Sequence, residues 1–175
     1  MSADTSWLSG LVREIEDYPQ PGERFRDITP LLGDGAAFGR AIDGLVARFA
    51  DVSVDRVLGM EARGFIIGAP VAYRLGAGFV PVRKAGKLPW AVVREEYRHE
   101  HGTDQLEIHR DAIRPGEHVL VVDDVLATGG TAAATCRLVD ELGGQVVGVG
   151  VLIEIEPLDG RSRLSGRRVE SLARY

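Results

Sequence analysis

The chain has 175 residues, enough for one domain whose core needs no disulfide or metal staple. Its formal net charge of -5 argues against a general role in binding nucleic acid or a membrane surface, leaving room only for a local basic pocket. A single cysteine, Cys136, excludes an intramolecular disulfide and fits a reducing, cytoplasmic setting, and the first ten residues, "MSADTSWLSG", lack the charged and apolar regions of a secretory signal.

In chain order, "SWLSGLVREIEDYPQPG" reads as a short amphipathic helix, capped by Ser6, with Leu8, Leu11, Val12 and Ile15 on one face. Pro19 and Pro21 end it, and a loop runs through "GERFRDITP". "GDGAAFGRAIDGLVARFA" predicts a second helix with Phe38, Ile42, Leu45 and Phe49 inward. The rhythm then changes. "DRVLGM" is a buried strand, "GFIIGAPVAYRLG" a helix closed by Gly76, and "GFVPVRK" another strand. "AVVREEY" and "DQLEIHR" alternate as two antiparallel strands around the polar tip "RHEHGT". "EHVLVVDD" is an apolar strand, "TAAATCRLVDELG" a helix and "QVVGVGVLIEI" a further apolar strand, followed by a short helix and an edge strand at "RRVESL". Strand–helix–strand units with near-continuous Val, Ile and Leu predict an α/β domain, its central sheet mostly parallel and flanked by helices.

In such a sheet, ligands sit outside the carboxyl ends of the strands. That is where "VLVVDDVLATGGT" places Asp123 and Asp124 and then a Thr-Gly-Gly-Thr turn into a helix. The backbone N–H groups of residues 127–131, freed by Gly129 and Gly130, can converge on one anion, with the helix N-terminus and the Thr128 and Thr131 hydroxyls behind them. The turn has no lysine and matches neither a Walker A loop nor a dinucleotide fingerprint. Two acids beside such a cradle suit a sugar, with its hydroxyls on the carboxylates and its phosphate in the cradle. As ordinary structure, they would be a helix N-terminal acid and a loop acid, at a desolvation cost that needs partners.

These residues resemble the phosphoribosyl-diphosphate motif of the type I phosphoribosyltransferases. "YPQPGERFRDITPLL", "EARGFIIGAPVAYRLGAGFVPVRKAGKLP" and "YRHEHGTDQLEIHRDAIRPGEHVLVVDD" are similar to the adenine-specific branch, over about residues 18–155. The resemblance implies a single phosphoribosyltransferase domain over residues 1–175, with a hood over the base at residues 1–33 and a flexible catalytic hairpin loop at residues 84–104. It implies conversion of adenine and phosphoribosyl diphosphate to AMP and diphosphate in purine salvage. Mg²⁺ would be bound mainly through the substrate and water, and the protein would be a homodimer.

The same resemblance assigns the residues. Ala127, Thr128, Gly129, Gly130 and Thr131 would hold the 5′-phosphate, and Asp123 and Asp124 the ribose hydroxyls, with their charge near C1 as it becomes oxocarbenium-like. The "GMEARG" loop, with Glu61, Ala62 and Arg63, would bind diphosphate, and the peptide between Glu61 and Ala62 would be cis. Arg83, Lys84 and Lys87 form either a solvated basic loop or a neutralising group for the leaving diphosphate. Backbone groups of Arg24 would read the adenine edge, Arg26 would pack by or bond to the base, and Phe25 reads as core more than as a stacking platform. Arg24 stands where the family usually has an aliphatic residue. Glu100 would manage the purine proton. His101 replaces the usual tyrosine that helps close the site. "HEH" at the loop tip also has the spacing of two imidazoles on one strand face, without a third metal ligand in view. His109 and His118 read as structural, Cys136 as a buried small residue, and Trp90 as a candidate for a subunit interface. Two other readings remain: a phosphoribosyl-diphosphate sensor on the same fold, disfavoured by a short acidic chain with no separate helix-turn-helix, and a transferase for another base, disfavoured by "RFRD" and "EARGF".

Overall fold

A computed structural model of the chain describes residues 6–99 and 102–175. A short helix, α1 (Ser6–Ser9), leads into a two-stranded antiparallel ribbon of β1 (Arg13–Glu16) and β2 (Arg24–Asp27). This corrects two expectations: the amphipathic helix is four residues long, and "RFRD" is strand rather than loop. Arg13–Glu16 pairs residue for residue with Arg24–Asp27, so the backbone groups that a longer helix would have satisfied are satisfied across the ribbon. The Ser6 side chain lies outside the described residues. Leu8 and Val12 are buried all the same, against the main domain.

Helices α2 (Thr29–Gly33) and α3 (Gly35–Arg48) follow, and Asp34 caps α3 by accepting from the N–H groups of Ala36 and Ala37 at 3.0 Å. Then come β3 (Arg56–Met60), α4 (Arg63–Leu75), β4 (Gly78–Lys84), the hairpin of β5 (Val92–His99) and β6 (Gly102–His109), β7 (His118–Leu126), α5 (Gly130–Glu141), β8 (Gln145–Glu154) and β9 (Val169–Arg174). Gly76 ends α4 at φ 66°, a left-handed conformation that glycine adopts without strain.

The main sheet runs β5-β6-β4-β3-β7-β8-β9, with β4 through β9 parallel and the β5–β6 hairpin antiparallel at one edge. Side chains alternate across it. Val57, Leu120, Val122 and Leu152 pack with α3 and α4, whereas Leu58, Val119, Val121 and Val149 pack with α5. Both faces are therefore covered, which is why these strands are apolar throughout. The connection through α4 leads away from β3 in one direction and the connection through α5 leads away from β7 in the other. The crevice opens where they part, between the carboxyl ends of β3 and β7. Strand β7 also runs past the expected end at Asp124, through Val125 to Leu126, because β8 continues alongside it as far as Glu154.

Phe49 is fully buried and its ring fills the space left by Gly148 and Gly150 on β8; a Cβ at Gly150 would lie 3.0 Å from the ring. Phe49→Ala should lower unfolding free energy by about 3–5 kcal/mol. The measurement is a lower urea midpoint at unchanged slope. A midpoint like that of the wild type would contradict this packing.

Candidate active site

Two helix N-termini meet at the crevice. Helix α4 starts at Arg63 after Ala62, and α5 starts at Gly130 after Gly129, and neither has a side-chain cap. Their first N–H groups are available to anions, each with the positive end of a helix dipole behind it. Gly129 holds φ 77°, and a Cβ there would strike the Gly160 carbonyl oxygen. Gly64 lets the first turn of α4 lie against the acid pair, since a Cβ there would sit 2.8 Å from Asp123 Oδ1. Residues 126–131 line a recess of about 80 Å³. The peptide between Glu61 and Ala62 is cis, as the resemblance implies.

Asp123 and Asp124 lie between these two termini, in a cavity of about 340 Å³. The Asp124 N–H donates to Asp123 Oδ1 at 2.9 Å, and Asp124 Oδ2 lies 2.9 Å from Arg63 Nε. The latter is an ion contact without hydrogen-bond alignment, so this buried oxygen has no aligned donor among the described residues. Burial raises both carboxyls above their ordinary range. The charge of Asp124 adds to the rise at Asp123, and Arg63 pulls Asp124 partly back. Such a pair is suited to accept hydrogen bonds from a polar ligand or to share a hard cation.

The cavity's other wall is apolar: Phe25 from β2, with Ile155 and Leu158 beyond β8. Phe25 is half-buried, makes an edge contact with Tyr18 at 5.2 Å and carries the Arg63 guanidinium 4.8 Å above its ring. It belongs to neither core cluster, which corrects its reading as core: the ribbon stands off the main sheet and turns this ring into the cavity. Arg24 and Arg26 also line the cavity. Both pair with Glu14 across the ribbon, and Arg26 lies 4.5 Å over the Tyr175 ring. Ile155 and Leu158 carry no motif; their only signal in the sequence is apolar character just past a strand end.

The basic cluster after β4 is organised by carboxylates. Glu61 accepts from Lys87 Nζ at 2.7 Å, the Lys84 N–H at 3.0 Å and Arg83 Nε at 3.3 Å, while Lys84 Nζ pairs with Asp104 at 2.9 Å. Glu107, fully buried on β6, accepts from the N–H groups of Lys87 and Leu88, both at 3.0 Å, and from Arg94 Nε at 3.1 Å. Of the three cations, Lys84 lines the cavity, and Arg83 and Lys87 face Glu61. Glu100 and His101 lie outside the described residues, which also leaves the "HEH" spacing undescribed. Cys136 is buried, which pushes its thiol up to about 11, and the His118 ring is bonded to Ser53. Trp90 is exposed.

Burial alone would raise Glu61, but the hydrogen bonds from Lys87, Lys84 and Arg83 outweigh it and take the carboxyl from 4.5 down to about 2. A depressed carboxyl contributes its stability above its unfolded pKa and loses it as pH falls toward the folded one. That interval is worth at most about 3 kcal/mol, reduced to about 1–2 kcal/mol because Lys87 is half exposed. The urea midpoint of the wild type should therefore fall more steeply between pH 5 and pH 2 than that of Glu61→Gln. Parallel profiles would contradict the network.

The phosphoribosyl transferase domain model matches residues 32–169, which contain the acid pair, the cradle and the Glu61 loop. Adenine phosphoribosyltransferase of Desulfitobacterium hafniense (strain Y51) is 54% identical over 164 residues, covering 94% of this chain and 95% of that protein. The crystal structure of adenine phosphoribosyltransferase from Rhodothermus marinus superposes with a TM-score of 0.94 at 48% identity, covering 98% of each chain. The Saccharomyces cerevisiae enzyme, complexed with an imino-altritol 1,6-bisphosphate and adenine, gives a TM-score of 0.90 at 38% identity, covering 96% of this chain and 97% of that one. By a family model that covers most of its length and by relatives identical at about half their positions, the chain belongs to the phosphoribosyl transferase domain family, in its adenine phosphoribosyltransferase branch.

Proposed function

We propose that the chain transfers the 5-phosphoribosyl group from phosphoribosyl diphosphate to N9 of adenine, giving AMP and diphosphate. The observation that carries this reading is the pair of uncapped helix N-termini on either side of the buried acid pair, one at a cavity with an apolar wall and the other at the recess beside it. This is the polarity of a ligand with an anion at each end, hydroxyls between them and a flat base beside them. The yeast relative holds such a set, a bisphosphate of an imino sugar together with adenine.

In this reading the 5′-phosphate rests on the N–H groups of residues 127–131, with Thr128 and Thr131. Asp123 and Asp124 accept from the ribose hydroxyls, and their negative charge favours positive character at C1 as the C1–oxygen bond to diphosphate breaks. The leaving diphosphate is received by the first turn of α4, Arg63 and Lys84, with Glu61, Arg83 and Lys87 holding the loop beside it. Adenine lies against Phe25 and Leu158. Strand β2 pairs only with β1 among the described residues, so alternate backbone groups around Arg24 face away from the ribbon. A carbonyl there accepts from the 6-amino group, and an N–H donates to N1. A 6-oxo purine would set donor against donor, and the buried mismatch supports discrimination. Glu100 takes the role of proton manager at the purine, with His101 beside it on the loop.

The hard carboxylate oxygens of the acid pair, one with no aligned donor, fit Mg²⁺ at this position, bound mainly through substrate oxygens and water. When bound, the ion would neutralise charge on the diphosphate. A homodimer in a cytoplasmic setting completes the reading. It is supported by the exposed Trp90 after the Lys84–Lys87 loop and by a lone, buried cysteine. Among the described residues no helix is long and apolar enough to cross a membrane.

The test is to mix protein, Mg²⁺ and phosphoribosyl diphosphate with adenine, hypoxanthine, guanine, xanthine or orotate, and to measure nucleotide and diphosphate. AMP from adenine alone is expected; no AMP would end the proposal. Asp123→Asn combined with Asp124→Asn should lower turnover by about a hundredfold or more in a folded protein. Near-wild-type turnover would remove the acid pair from the chemistry. Glu100→Gln should lower kcat more than it raises KM, and an unchanged kcat would remove Glu100.

A further inference from the structure

One turn, residues 156–164, reaches both the cavity and the cradle beside it. Leu158 on it forms part of the apolar wall, and Gly160 packs backbone to backbone against the cradle. A Cβ on Gly160 would strike the Ala127 carbonyl oxygen and lie 3.1 Å from the Gly129 nitrogen; a Cβ on Gly129 would strike the Gly160 carbonyl oxygen. The cradle is thus held from two directions. On the sheet side, the Ile155 N–H donates to the Leu126 carbonyl oxygen at 2.9 Å. On the other side, the cradle leans on Gly160.

What fixes Gly160 is its neighbour. Arg161 donates from Nε to Glu154 Oε1 at 2.5 Å, from Nη2 to Glu154 Oε2 at 2.7 Å and from Nη1 to the Val169 carbonyl oxygen at 2.8 Å. Glu154 is 5% exposed, sits at the end of β8 opposite Leu126, and also accepts from Ser171 Oγ at 2.8 Å. A bidentate guanidinium–carboxylate pair fixes orientation as well as distance. Here it ties the turn to the same strand that supports the cradle, with Leu164 anchoring the far end of the turn in the core.

The geometry points to Arg161 and Glu154 as positioning residues for the cradle. Through Gly160 they keep the N–H groups of residues 127–130 converged, and so set the affinity for the phosphate end of a phosphorylated ribose. This assignment rests on the proposed reading of the cradle as the 5′-phosphate subsite. Neither residue touches substrate. Their effect comes from keeping the cradle in shape before the ligand arrives.

The test measures binding of ribose 5-phosphate by calorimetry, with melting temperature in parallel, for Arg161→Met, Arg161→Lys and Gly160→Ala. Glu154 keeps Ser171 and a contact with Arg174 at 3.4 Å when Arg161 is replaced, so its carboxylate is not stranded. Gly160→Ala disturbs the cradle with the ion pair intact. We expect the Kd to rise by about tenfold or more in Arg161→Met and Gly160→Ala, and by less in Arg161→Lys, which retains one charge-assisted bond. A Kd within about twofold of wild type in folded Arg161→Met would overturn the assignment, even if its melting temperature falls, since a merely structural pair would lower stability without moving affinity; the same result in Gly160→Ala would overturn it as well. Because binding is read directly, a wild-type protein that binds ribose 5-phosphate but makes no AMP would count against the transfer reaction alone. Failure of the wild type to bind it would overturn the cradle as a phosphate subsite and the positioning role with it, and would leave the transfer reaction to the AMP assay.

Discussion

The structure is organised around a desolvation problem: two adjacent carboxylates, Asp123 and Asp124, at the buried end of a central strand. Water solvates such a pair well and protein solvates it poorly, so burial raises both carboxyls. The fold meets the problem with positive potential from several sources. Arg63 stands against Asp124, Gly64 brings the first turn of α4 into contact with Asp123, and α5 begins a few residues on. None of these fully compensates the pair. What is left over is the capacity to take hydroxyl donors or a hard cation, and this is the source of the site's chemistry.

The sheet makes the arrangement possible. Strands β3 and β7 are neighbours whose outgoing connections lead apart, so a single crevice receives both helix N-termini. The fully apolar strands hold this point rigidly between two packed layers. Parts outside the two packed layers surround it: the ribbon that brings Phe25, the turn that brings Leu158, and the loop after β4, whose basic side chains are held by Glu61 and Asp104 and whose backbone is held by Glu107. The core supplies the acid pair and the glycine turn, and the periphery supplies the apolar wall.

That division also explains what could be read from the sequence. The central strands were legible because burial on both faces writes continuous Val, Ile and Leu runs, and the turn after β7 because its acids and glycines are contiguous. Gly76 marks a helix end by local chemistry. The β1–β2 ribbon was not legible: Leu8, Leu11, Val12 and Ile15 fit a helical period over a few residues, and the competing strand partner lies eleven residues downstream in a different local pattern. Phe25 reads as core in the sequence because an aromatic ring gives no sign there of which way a ribbon will turn. Ile155 and Leu158 look like any apolar residues at the end of a strand. The pairing of Glu61 with Lys87 and Arg83 links side chains more than twenty residues apart, and only the folded chain brings them together.

The central claim is spatial: one anion on the N-terminus of α5, hydroxyls on the acid pair, and a base against Phe25 and Leu158. A crystal structure of the protein with AMP tests it most directly. The account predicts the phosphate within hydrogen-bond distance of the N–H groups of residues 128–131, the ribose hydroxyls on Asp123 and Asp124, and adenine beside the backbone of Arg24. A phosphate at α4 with the ribose away from Asp123 and Asp124 would contradict it.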